Sequence, residues 1–185
     1  GRSGYTLSLT NTTDPRKYQY FPLFDWPRII NPKLTFPITE DNLNETINNE
    51  RLALLNITEA IIANPNKVAC IIIEPIQAEG GDNHFRDEFF VELRKICDEH
   101  EVLLIFDEVQ TGIGITGKMW AYEHLPIAPD IISFGKKTQV CGVLANREKF
   151  DEIEDNVFRE SSRINSTFGG NFTDMMRFKL IMEVI

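Results

Sequence analysis

Asp107 closes the apolar run Val102-Leu103-Leu104-Ile105-Phe106, and 29 residues later Lys136 follows the apolar stretch Ile131-Ile132-Ser133-Phe134. If the two runs are neighbouring parallel strands, both side chains leave the sheet at its carboxyl edge, where open α/β sheets place their ligands. A lysine there can hold an aldehyde cofactor as a Schiff base. An aspartate beside it can pair with the protonated ring nitrogen of a pyridine cofactor such as pyridoxal phosphate, which keeps the ring an electron sink. Lys137 competes with Lys136 for the first role. On an extended backbone adjacent side chains point opposite ways, so only one of the two can enter the site. Taken singly, a Lys-Lys pair is more often a solvated turn, and an aspartate after a strand is as often a cap or an ion pair.

The elements that would position this pair can be read from the hydrophobic pattern. Residues 11 to 39 carry Pro15, Pro22, Pro27, Pro32 and Pro37 among many aromatics, which predicts an extended, packed loop. From about Leu43 to Ile62 the positions Ile47, Leu54, Leu55, Ile57, Ile61 and Ile62 suit a helix, stopped by Asn64-Pro65. Val68 to Ile73 is a β-branched run long enough for a doubly covered strand. Phe89, Phe90, Leu93, Ile96 and Cys97 then recur at helical spacing, and the strand Val102 to Phe106 follows at once. Strand, amphipathic helix, strand is a βαβ unit and implies a parallel sheet. A third unit runs through Trp120, Tyr122 and Leu125 to the strand at Ile131, and Val140 to Ala145 reads as a further strand of reversed direction. The fold class is therefore α/β, a mainly parallel sheet covered by helices on both faces.

The chain has 185 residues, 42% of them hydrophobic, enough for about one domain with its own core. Its formal charge of −9 repels phosphate backbones and anionic lipid, so neither nucleic acid nor membrane is expected as a partner. No apolar run approaches the roughly 20 residues of a membrane helix, and the first residues form no apolar signal core. A cytoplasmic protein is the simplest fit. Cys70, Cys97 and Cys141 include no C-x-x-C pair, and His84, His100 and His124 share no metal spacing, so neither a disulfide framework nor a metal is indicated. The sequence lacks an initiator methionine and stops at Met182-Glu183-Val184-Ile185 inside an apolar pattern without a C-cap. It reads as a piece of a longer protein, cut at both ends.

Four segments fall at corresponding strand ends: Glu74-Pro75-Ile76-Gln77-Ala78-Glu79-Gly80-Gly81, Asp107-Glu108-Val109-Gln110-Thr111-Gly112, Gly135-Lys136-Lys137 and Ser166-Thr167-Phe168-Gly169-Gly170-Asn171. In this order and spacing they resemble the class III pyridoxal-phosphate aminotransferases of fold type I, and the resemblance runs the whole length of the chain. It implies that residues 1–185 are part of the cofactor-binding large domain of such an enzyme, with pyridoxal 5'-phosphate as cofactor. Within the class, Gly1-Arg2-Ser3-Gly4-Tyr5-Thr6, Glu79-Gly80-Gly81-Asp82-Asn83-His84 and Gly135-Lys136-Lys137-Thr138-Gln139-Val140-Cys141-Gly142 are similar to the L-lysine 6-aminotransferases. These move the ε-amino group of L-lysine to 2-oxoglutarate, leaving 2-aminoadipate 6-semialdehyde and L-glutamate. The 4-aminobutyrate aminotransferases share part of the pattern and are the alternative. A non-catalytic binding module of the same fold is the competing reading from another class.

The resemblance also assigns roles residue by residue. Lys136 would form the Schiff base and shuttle the proton, and Asp107 would hold the ring-nitrogen proton. Gln110 would bond the phenolic oxygen of the cofactor while Val109 packs on its ring. Thr167 would reach the cofactor phosphate of a neighbouring subunit, which implies a homodimer. On the substrate side, Arg2 would clamp the α-carboxylate of lysine, Glu74 would lie in the pocket, and Glu79 would gate a pocket arginine between the two half reactions.

Overall fold

The computed structural model describes residues 3–12, 14–164 and 166–185, and the chain divides into two units, Gly1–Asn64 and Pro65–Ile185.

The first unit contains a short helix, α1 (Gly4–Leu9). Its cap explains it: the Ser3 hydroxyl accepts from the Thr6 N–H, and Thr6 Oγ1 accepts in turn from the Ser3 N–H. The proline-rich segment that follows is extended apart from one turn of tight helix at Pro15–Lys17. Phe24 and Trp26 stack at 5.0 Å between ring centroids, and Tyr5 lies 4.7 Å from Phe24. Packing of the segment is uneven: Pro32 is fully buried, whereas Tyr20 is 83% exposed. The long helix α2 (Glu40–Ala63) is capped by Thr39, whose hydroxyl accepts from the Asn42 N–H. It ends at Asn64, where Pro65 forbids another turn. Its buried stripe is Thr46, Glu50, Ala53 and Ile57, three to four residues apart, whereas Leu55 and Ile62 of the apolar pattern are exposed.

In the second unit β1 (Cys70–Ile73) leads to α3 (Asp87–Glu99), which leads to β2 (Leu103–Asp107). Then come β3 (Ile131–Phe134), β4 (Gly142–Ala145), α4 (Arg147–Asp151) and α5 (Phe172–Val184). The sheet order is β1-β2-β3-β4, with β1, β2 and β3 parallel and β4 antiparallel to β3. This is the mainly parallel α/β sheet with one reversed strand that the pattern implied. Helix α3 starts on Asp87 and Glu88, which suit the positive end of its dipole, and buries Phe89, Phe90, Leu93 and Cys97. Phe90 meets Phe106 of β2 edge-on at 5.5 Å. On the same face of the sheet Phe134 lies 5.8 Å from both Trp120 and Phe178 of α5.

The connection from β2 to β3 departs from expectation. A single turn of tight helix at Ala121–His124 stands where an amphipathic helix was anticipated. Gly112, Gly114 and Gly117 before it and Pro126 and Pro129 after it leave no uninterrupted stretch for an α-helix.

Asp130 knits this unit together. Its carboxylate, almost fully buried, accepts from Arg94 of α3 at 2.9 Å, from the Leu104 N–H of β2 at 2.7 Å and from Lys149 of α4 at 2.7 Å. Burial pushes its pKa up, but the bonds from Lys149, Leu104 and Arg94 outweigh burial and hold it below the usual range. Asp130→Asn in the full-length protein should therefore cost about 3 kcal/mol at neutral pH, because Arg94 and Lys149 lose the anion between them. A carboxyl with a lowered folded pKa stabilises above its unfolded value, about 3.9, and that stability is lost as pH falls through the folded pKa. Denaturant titrations should show the gap between wild type and variant constant from about pH 7 to 5 and closing below about pH 4. A gap independent of pH would show that the charge of Asp130 is not what stabilises.

Candidate active site

The three parallel strands deliver Glu74, Asp107 and Lys136 to one edge of the sheet. Glu74 follows the last residue of β1, Asp107 ends β2, and Lys136 comes two residues after β3. The β2–β3 register pairs Asp107 directly with Ser133. That pairing matters, because the Ser133 hydroxyl donates to Asp107 Oδ1 at 3.2 Å and the Val109 N–H donates to the same oxygen at 3.0 Å. Among the described residues Oδ2 accepts no hydrogen bond, so half of the carboxylate is fixed and half remains available as an acceptor.

Lys136 is exposed, and its Nζ donates to Gln110 Oε1 at 2.5 Å. Lys137 is half-buried, and its Nζ donates to the backbone carbonyl of Gln110. Both lysines thus reach the same residue. The expectation that only one could do so assumed an extended backbone, whereas residues 136–138 form a turn. The turn is set by neighbours on both sides. A Cβ on Gly135 would lie 2.9 Å from Cys141 Sγ, which excludes any larger residue there without a shift. Thr138, fully buried, donates its hydroxyl to the Val140 carbonyl at 2.7 Å.

The loop after β1 is a small closed hairpin. Gln77 and Asn83 exchange backbone bonds of 3.0 Å in both directions, and Asn83 Nδ2 donates to Gln77 Oε1 at 3.0 Å. Glu79 stands exposed near its tip, while Glu74 is half-buried at its base. Burial raises the Glu74 pKa above its ordinary value, and repulsion from Asp107 adds to the rise. The Ala78 N–H and the Lys136 ammonium oppose it without cancelling it.

Glu74, Asp107, Val109, Gln110 and Lys136 are therefore neighbours at one sheet edge. Thr167 is exposed on the turn ahead of α5, outside this cluster, and Arg2 lies outside the described residues. Sequence reasoning missed Ser133 and Glu108. Strand alternation carried the signal for Ser133, since it shares a face with Ile131 and so with Asp107 in the next strand.

The aminotransferase class-III family matches residues 1–185, the whole chain. The chain belongs to that family. Class-III aminotransferases use pyridoxal 5'-phosphate, and the residues present fit that group: Lys136 offers an exposed primary amine, and Asp107 offers a carboxylate oxygen that accepts from no other described residue. Over all 185 residues the chain is 56% identical to the L-lysine-epsilon aminotransferase of Mycobacterium tuberculosis strain H37Rv and 50% identical to that of Streptomyces clavuligerus. Each match covers 100% of this chain and 40% of the relative, so the chain spans about two fifths of those proteins. A 4-aminobutyrate aminotransferase of Emericella nidulans is 44% identical over 144 residues, 77% of this chain and 28% of that protein. The solved structure of the M. tuberculosis lysine aminotransferase matches at a TM-score of 0.91 with 56% identity, covering 100% of this chain and 41% of that one.

Proposed function

We propose that the complete protein is a pyridoxal-phosphate-dependent L-lysine 6-transaminase, moving the ε-amino group of L-lysine to 2-oxoglutarate and releasing 2-aminoadipate 6-semialdehyde and L-glutamate. The observation that carries this reading is the convergence of Lys136, Asp107 and Gln110 on one sheet edge in a chain 56% identical over its whole length to L-lysine-epsilon aminotransferases. Bound pyridoxal phosphate supplies an aldehyde carbon for amine capture and a ring that draws electrons from the bond being broken. Asp107 holds the ring-nitrogen proton on Oδ2, with Oδ1 steadied by Ser133 and Val109. Lys136 Nζ would anchor the cofactor and would move the proton of the substrate carbon. Gln110 bonds the ring oxygen, Val109 packs on the ring, and Thr167 reaches the phosphate of a partner subunit, so the working assembly is a homodimer. The three free cysteines accord with a cytoplasmic setting.

On the substrate side Arg2 receives the α-carboxylate of lysine in bidentate fashion, and Glu74 lines the pocket. Glu79 pairs with a pocket arginine while the cationic amine end is bound, then swings away to admit the second carboxylate of 2-oxoglutarate. Its exposure on the 77–83 hairpin leaves it free to move. Glu79→Ala should hurt the lysine half reaction more than the glutamate one, by about 1 to 3 kcal/mol in relative transition-state binding. Single-turnover rates with each donor decide it: equal losses would mean that Glu79 is not a gate.

The reading as a whole is tested on purified full-length protein. It should carry a visible-absorbing cofactor, and borohydride reduction followed by peptide mapping should find the cofactor on Lys136. Lysine should be a far better donor to 2-oxoglutarate than 4-aminobutyrate. The reverse preference would move the protein to the 4-aminobutyrate branch, and absence of cofactor would leave only a binding module.

A further inference from the structure

Gln110 is held by two ammonium groups at once, one on its carboxamide and one on its backbone carbonyl. The first bond is one that the proposed chemistry must break, because Lys136 Nζ has to leave Gln110 in order to anchor the cofactor and move protons. The second carries no such demand.

The rest of the β2 loop shows how the Gln110 peptide is framed. Glu108, 1% exposed, accepts from Thr111 Oγ1 at 2.6 Å, from the Ala121 N–H at 3.0 Å and from the Tyr122 N–H at 2.8 Å. The turn is thereby tied to the segment that leads on to β3. Gly112 closes it against Trp120, where a Cβ would come within 2.7 Å of the indole ring. Glu108 and Thr111 thus fix the chain on either side of residue 110, and Lys137 holds the carbonyl between them from the β3 side.

Lys137 occupies an unfavourable place for a lysine. Burial, and then the neighbouring Lys136 cation, lower its pKa, while the Glu108 carboxylate opposes them. A side chain with only a solvating role would turn outward.

We propose that Lys137 is a positioning residue: its bond to the Gln110 carbonyl keeps the Gln110 carboxamide in place when Lys136 lets go of it. This rests on the transaminase reading. Its consequence is that the loss falls on turnover and not on substrate capture, since Gln110 faces the cofactor side of the site.

The test uses the full-length enzyme with Lys137→Met, Lys137→Arg, Gln110→Ala and the double variant Lys137→Met with Gln110→Ala. Losing a charged hydrogen bond corresponds to about a 10- to 100-fold fall, so kcat of Lys137→Met should drop by that factor with KM for lysine nearly unchanged. Lys137→Arg, which can still donate to the carbonyl, should recover most of the rate. The pH titration of the bound-cofactor absorbance should shift in Lys137→Met and in Gln110→Ala, and no further in the double variant. In cofactor-free protein, the amides of residues 109–112 should exchange with deuterium roughly tenfold faster in Lys137→Met. If the Met variant does not fold, Lys137→Ala carries the same comparisons. Exchange and absorbance titrations that superpose on wild type, or a double variant whose shifts simply add, would overturn the role of Lys137. Wild-type protein lacking cofactor or lysine activity would instead sink the transaminase reading beneath it.

Discussion

Asp107→Asn in the full-length enzyme is expected to slow both half reactions by at least about 100-fold, some 2.7 kcal/mol of barrier, while cofactor stays bound. The geometry makes this substitution unusually clean. Oδ1 of the wild-type carboxylate accepts from the Val109 N–H and the Ser133 hydroxyl, and the carbonyl oxygen of an asparagine can accept both bonds in the same place. The turn after β2 should therefore keep its shape. What disappears is the negative charge at Oδ2, replaced by an amide NH2 that can only donate. A donor facing the ring nitrogen favours the unprotonated ring, so the electron sink weakens at the step where a C–H bond is broken. Stopped-flow absorbance with saturating lysine, and separately with glutamate, measures the two half reactions. A variant that reacts at the wild-type rate would reduce Asp107 to a strand-end cap. A variant that loses its cofactor altogether would make its role one of binding.

The residues behind this effect were only partly legible in the sequence. The strands could be read because β-branched runs bounded by turn residues leave few alternatives, and β3 falls at Ile131–Phe134 as the pattern placed it. Helix α3 was legible because its apolar residues recur at one period. The β2–β3 crossover was misread, since Trp120, Tyr122 and Leu125 supply apolar positions that a helix could use, while the surrounding glycines and prolines forbid the helix. In α2 the buried stripe runs through Thr46 and Glu50, and polar residues at core positions are invisible to a hydrophobic pattern. The site shows the same division. Residue types and strand ends placed Asp107 and Lys136 together, but the support from Ser133 depends on the strand register, and the second hold on Gln110 depends on a turn at residues 136–138. Register and turn geometry are set by long-range packing, which no local window contains.

That turn also changes the reason for choosing between the two lysines. Both ammonium groups reach Gln110, so direction alone does not separate them, but their surroundings do. Lys137 is half-buried and committed to a backbone carbonyl, an acceptor that cannot move without shifting the β2 loop. Lys136 is exposed and rests on a side-chain oxygen that can rotate away, so its amine can be released at little cost. Lys136→Ala in the full-length enzyme should therefore lower the lysine half reaction by roughly 10⁴-fold, the upper end of what one positioned proton-transfer group contributes. Lys137→Ala should lose no more than about 100-fold, the scale of one charged hydrogen bond. The amine and its chemistry are separable: added methylamine, small enough to occupy the space left by the lysine side chain, should restore part of the lost rate in Lys136→Ala and none in Lys137→Ala. Single-turnover rates with and without methylamine, together with mass mapping of the reduced wild-type enzyme, give the decision. Rescue confined to Lys137→Ala, with the cofactor mapped to Lys137, would exchange the roles of the two residues and would require the Gln110 carbonyl to release its donor during each turnover.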